Sequence, residues 1–184
     1  MAEVYVSIDI ETDGPFPGPN SMLSLGAAAF LRGNPEPIAT FEANLKPLEG
    51  ANPDPKTAEW WSQQDPKVLE HVTKNPSDPA EVMRTFLAWT KRLPGTPVMV
   101  VYPTWDSVWV TWYFGRFCYE NPFGIGALDL KSMAFGLKNG RDRFKGISKK
   151  AMPKEWFVGA PRHDHTALTD AIGQGVLLIH MLEA

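Results

Sequence analysis

Five side chains in this sequence have the chemistry and the setting to hold a cation or move a proton: Asp9, Glu11, Asp106, His165 and Asp170. Asp9 and Glu11 lie in a segment, residues 4–12, where Val4, Val6, Ile8 and Ile10 alternate with Tyr5, Ser7, Asp9 and Glu11. On a strand, positions i and i+2 share a face and stand about 7 Å apart. The aliphatic face buries readily, but two neighbouring carboxylates repel and are costly to desolvate. A divalent cation resolves that conflict; an exposed strand end would relieve it too. Asp106 follows a wholly apolar run, 98–102, and opens a helix. There an aspartate suits a helix cap, and the end of such a strand is also where ligands gather in open α/β sheets. His165 precedes Asp170 by five positions, near the start of the last helical pattern.

These residues need elements to bring them together. Strands are predicted at 4–12, 22–30 and 38–46, separated by Asp13-Gly14-Pro15 and Arg32-Gly33-Asn34-Pro35 turns, which suits an antiparallel meander. Gly26 and the alanines after it would let another element approach the second strand closely. Short helices are predicted at 57–63 and 66–73. A longer one starts at Ser77-Asp78-Pro79 and carries the stripe Val82, Met83, Phe86, Leu87, Trp89 to about Leu93. The run 98–102 reads as a buried parallel strand, followed by a helix from about Asp106 to Tyr119, a short fifth strand at 127–130, an irregular basic stretch at 138–162, and a final helix from about His165 to Leu182. This order predicts an α/β domain spanning 1–184, with a mixed five-stranded sheet and helices on both faces.

Taken together the motifs carry a resemblance. Ser7-Ile8-Asp9-Ile10-Glu11-Thr12-Asp13-Gly14 resembles the first motif of the DEDDh exonucleases, the group that contains proofreading exonuclease subunits and ribonuclease T. Asp106 after its strand resembles the second motif, with Trp105 where family members usually carry Phe or a similar residue. His165-Thr166-Ala167-Leu168-Thr169-Asp170-Ala171 resembles the third; a sister group places Tyr four before that Asp, where Thr166 stands here. The segment 57–64 resembles a branch of these enzymes with a Trp-Trp pair, here Trp60-Trp61.

The resemblance spans residues 9–170 and implies a ribonuclease H-like fold. It also implies a 3′-5′ exonuclease that releases nucleoside 5′-monophosphates from single-stranded nucleic acid with a free 3′ end. Asp9, Glu11, Asp106 and Asp170 would hold two divalent ions, Mg²⁺ or Mn²⁺. Such ions suit oxygen-only ligands, whereas zinc more often recruits His or Cys. Without cations, two like charges at about 4 Å repel by about 4 kcal/mol at an effective dielectric of about 20. His165, with a free pKa of about 6.5, would be the general base. His163 is the rival, at a spacing that does not fit the motif. Thr12, Asp13 and Gly14 are implied contacts of the terminal nucleotide. Phe16, Tyr102, Trp105 and Trp109 lie near the motifs and suit core packing as well as base stacking; Trp105 is taken as a candidate contact. Many members of the group are homodimers, so a homodimer is implied on the same ground.

The chain has 184 residues, 43% of them apolar and 21% charged, with seven Trp and ten Phe, so it reads as globular. Its single cysteine, Cys118, permits no internal disulfide. The N-terminus runs directly into a strand pattern and no apolar stretch reaches about 18 residues, so a cytoplasmic protein without signal peptide or membrane span is expected. A net charge of −3 is low for a protein that binds nucleic acid by charge alone. The basic residues are concentrated, however: Lys138, Arg141, Arg143, Lys145, Lys149, Lys150 and Lys154 face only Asp142 in that stretch. Such a run suits a solvated face or a phosphate-tracking one. The competing reading is a catalytically inactive nucleic-acid-binding module on the same fold, which would usually have lost a carboxylate or the histidine. DNA against RNA is left open, since no residue here addresses the 2′-hydroxyl.

Overall fold

The computed structural model describes residues 2–138, 140 and 143–184; Arg141 and Asp142 of the basic run lie outside them. The alternating segment forms β1 (Glu3–Thr12), the centre of a five-stranded sheet ordered β3-β2-β1-β4-β5. β2 (Met22–Phe30) and β3 (Ala39–Asn44) complete an antiparallel meander with it. β4 (Thr96–Val101) and β5 (Leu128–Asp129) add in parallel on the other side.

The two faces of β1 divide the core as the alternation requires. Val4, Val6, Ile8 and Ile10 pack with Val82, Met83 and Phe86 of α3 (Pro79–Lys91) and Trp109, Val110 and Phe114 of α4 (Trp105–Phe117). Tyr5 on the opposite face joins Phe30, Val100, Leu130 and Ala134 under Val176–Ile179 of α6 (Ala167–Met181). α1 (Pro55–Ser62) and α2 (Pro66–Thr73) follow β3. Each of α1, α2 and α3 opens on an Asp-Pro step, with Asp54, Asp65 or Asp78 accepting a backbone N–H of the first turn.

Three sequence expectations are corrected. The final helix begins at Ala167, not His165: His165 has φ +61°, a left-handed conformation that a helix interior does not allow. β5 is two residues long and runs straight into α5 (Leu130–Leu137), whose first turn is capped by Asp129. No helix was expected there, because eight residues including Gly136 carry too short a stripe to register as periodic. The basic stretch contains three short 3₁₀ turns, Phe144–Gly146, Lys149–Ala151 and Lys154–Phe157, rather than none.

Candidate active site

Asp9 and Glu11 stand on the face of β1 that α6 crosses. The crossing is close because Asp9 pairs with Gly26 of β2, and a Cβ at Gly26 would lie 2.2 Å from the backbone carbonyl carbon of Ala167. Glycine therefore lets the first turn of α6 rest on the sheet, and that turn carries Asp170. Carboxylate oxygens of Asp9, Glu11 and Asp170 lie within 4.8 Å of one another. Asp106 comes from the first turn of α4 and is 4% exposed. It is not the cap of that helix, since Thr104 holds the cap position; its Oδ2 is buried with no hydrogen-bond partner among the described residues.

The electrostatics follow from four acids sharing one recess. Burial, then the charge of Asp170, pushes the Asp9 carboxyl up to about 7, against the opposing effects of Lys149 and Gln174. Burial, Asp9 and Asp170 push Glu11 up to about 9. Asp106 is raised well above the carboxylate range by burial and by the charges of Asp9 and Glu11. Each shift reports a cost of ionising. Mutually repelling carboxylates, with an unpartnered Asp106 oxygen among them, fit a cation site, and the groups they offer are all oxygens.

Two histidines flank the acids. His163 Nδ1 lies 2.6 Å from Asp170 Oδ1, and this contact with the carboxyl group raises the ring's pKa. The His165 ring meets His163 edge-on at 4.3 Å between centroids and Trp60 at 5.2 Å. Burial and the neighbouring His163 lower its pKa.

The expected substrate contacts divide. Thr12, Gly14 and Trp105 line a cleft of about 310 Å³ together with Glu11, Thr57 and Trp60. Trp105 Nε1 donates to the Pro15 carbonyl at 3.2 Å, which holds the ring at the rim, 39% exposed. Asp13 faces away: it is buried and accepts from Ser21 N at 2.5 Å, tying the end of β1 to the start of β2. Trp109 is core, whereas Phe16 is 66% exposed.

The Trp-Trp pair has two jobs. Trp61 is buried and donates to the Thr12 carbonyl at 2.9 Å, and Trp60 stands exposed beside His165. Sequence reasoning assigned no role to Gln174. Its buried amide donates from Nε2 to Asp9 Oδ1 at 2.6 Å. The available signal was a polar residue one turn after Asp170 in an otherwise apolar helix.

The family model for the 3′-5′ exoribonuclease Rv2179c-like domain matches residues 4–181. The 3′-5′ DNA exonuclease Cap18 of Escherichia coli is 34% identical over 183 residues, 95% of this chain and 89% of that protein. Among solved structures, the nuclease domain of 3′hExo, a DEDDh family member bound to rAMP, aligns with a TM-score of 0.73 at 12% identity. That alignment covers 98% of this chain and 92% of the other. Pop2p of S. pombe, in its Mg²⁺- and Mn²⁺-bound form, aligns at 0.62 with 15% identity, over 96% of this chain and 81% of the other. At such identities the structural likeness is one of fold, and it is the ribonuclease H-like fold expected.

Proposed function

This chain belongs to the family of Rv2179c-like 3′-5′ exoribonuclease domains and is a 3′-5′ exonuclease; from that premise we propose that it trims single-stranded nucleic acid from a free 3′ end, with Asp9, Glu11, Asp106 and Asp170 holding two divalent ions, Mg²⁺ or Mn²⁺, and His165 as general base. The observation that carries this reading is the meeting of Asp9, Glu11 and Asp170 oxygens within 4.8 Å, beside a buried and unpartnered Asp106 oxygen. When bound, divalent ions supply Lewis-acid activation of water and neutralise charge at the scissile phosphate.

The protein's own groups do the rest. His165 receives the proton of the attacking water. Its lowered pKa keeps the ring neutral near pH 7, as a base requires. His163 is the weaker candidate, because the Asp170 carboxylate favours its protonated form, which has no free lone pair. Trp60 supports the His165 ring from the side. The terminal nucleoside occupies the cleft of Thr12, Gly14, Thr57, Trp60 and Trp105, where the two indoles offer stacking without reading sequence. The product is a nucleoside 5′-monophosphate. The proposed setting is the cytoplasm, where Cys118 stays a thiol.

The test is digestion of 5′-labelled single-stranded RNA and DNA with Mn²⁺ or with EDTA, alongside Asp9→Ala and His165→Ala. A metal-dependent ladder shortening from the 3′ end is expected, absent in Asp9→Ala. His165→Ala should lower the rate by about 10²- to 10⁴-fold while Mn²⁺ still raises its Tm. Normal turnover in His165→Ala would return the role to His163. No cleavage by the unaltered protein would favour the binding-module reading. The same gel ranks the two sugars, which matters because the family is described for RNA and the Escherichia coli relative for DNA.

A further inference from the structure

A second cleft, of about 280 Å³, opens beside the acid cluster, between the 3₁₀ turns and α6. Its wall is apolar, from Phe157, Pro161 and Leu177, and its rim carries Lys149 and Lys150. Asp170 and His163 line it as well, so it is continuous with the catalytic recess. Glu11 lines the aromatic cleft and Asp170 the basic one, so both clefts border the carboxylates.

Three features suit this cleft to an incoming strand. Among the described residues, neither lysine pairs with a carboxylate side chain. Lys149 Nζ instead sits 5.1 Å from the centre of the Tyr102 ring at the end of β4. Its charge is felt at Asp9, Asp106 and His163, so it stands within electrostatic reach of the acid cluster. The third feature is Gly173. A glycine inside a helix is destabilising relative to alanine. Gly175 is explained by packing, since a Cβ there would lie 2.0 Å from the Phe30 ring. Gly173 is not: a Cβ would meet nothing nearer than the Pro161 carbonyl at 3.7 Å. Its missing side chain leaves the cleft open.

We propose that this cleft is the subsite for the nucleotide upstream of the scissile bond, with its phosphate at Lys149 and Lys150 and its base against Phe157, Pro161 and Leu177. The strand would then enter over the 3₁₀ turns, cross the carboxylates at its last phosphodiester, and end in the Trp60–Trp105 cleft. This assignment rests on the exonuclease reading and adds to it a direction of entry and a sequence-tolerant contact for the second base.

The test compares two substrates. The p-nitrophenyl esters of uridine and thymidine 5′-monophosphate contain the terminal nucleoside and the scissile phosphate but no upstream nucleotide; an oligonucleotide has both. Lys150→Met and Gly173→Leu should lower kcat/KM on the oligonucleotide about 10-fold more than on the esters, mainly through KM. Gly173→Ala, whose Cβ fits, controls for the helix. Binding of a fluorescent oligonucleotide in Ca²⁺ is measured in parallel. In Lys150→Met the slope of log affinity against log salt should become shallower by about 0.7, the value for one lost single-strand phosphate contact. Equal losses on both substrates, or an unchanged salt slope, would overturn the subsite. Failure of the unaltered protein to hydrolyse ester or oligonucleotide would overturn the exonuclease mechanism instead, and the binding slope would still decide whether Lys150 meets a phosphate.

Discussion

Asp9 is held from two directions: its strand aims it at α6, and Gln174 on that helix donates to its Oδ1 at 2.6 Å. The bond leaves the other oxygen of Asp9 available and restricts rotation of the carboxylate. Gln174→Leu should therefore weaken Mn²⁺ binding by about 10- to 100-fold, the usual effect of losing a hydrogen bond to a metal ligand. Isothermal titration would show it, and an unchanged affinity would make Gln174 merely structural. At this scale the sequence was informative where residues are local. Asp9 and Glu11 share a face because they are two apart on a strand. The contact of His163 with Asp170 was not legible: the chain turns at His165 through a left-handed conformation, and that reversal brings the residue with the wrong spacing to the carboxylate.

The sheet and α6 form the joint on which the site depends. Gly26 is one point of close approach, and Gly175, further along α6, is a second one against Phe30. Alanine at either position overpacks the interface at a cost of about 1–3 kcal/mol, or about 2–12 °C in Tm for a chain of this size. Only Gly26→Ala displaces the turn bearing Asp170. Both variants should melt earlier by calorimetry, but Gly26→Ala should also lose Mn²⁺ affinity; equal metal binding in the two would show that α6 accommodates the methyl without moving the acid. The small residues of β2 already signalled a close approach in sequence. What they could not specify was the partner, because the helix that arrives lies far along the chain. α5 escaped notice for a related reason: its two buried residues, Leu130 and Ala134, acquire a face only once β5 has placed them against α6.

Across the whole molecule, a net charge of −3 conceals an acidic recess flanked by a basic cleft. The recess makes stability depend on pH in a definite direction. Asp9 and Glu11 are raised to about 7 and about 9 when folded, whereas unfolded carboxyls titrate near 4. Between those values the folded state binds more protons, so these groups stabilise it fully below about pH 4 and their contribution is lost as pH rises towards 9. The metal-free protein should show a Tm that falls from about pH 5 to pH 9, less steeply in Asp9→Asn. Mn²⁺ should raise Tm more at pH 8 than at pH 5, where protons compete for the same oxygens; the reverse order would place the bound ion elsewhere. Among the described residues no helix is long and apolar enough to cross a membrane. Alternation, caps and turn signals by themselves determined the strands, most helices and the mixed sheet, because each of those signals acts over a few positions of the chain. Tertiary structure alone decided that Asp13 turns inward, that Gln174 reaches Asp9, that Trp60 meets His165 and that Lys149 meets Tyr102, because those relations are made through the packing of α1, the 3₁₀ turns and α6 on one sheet.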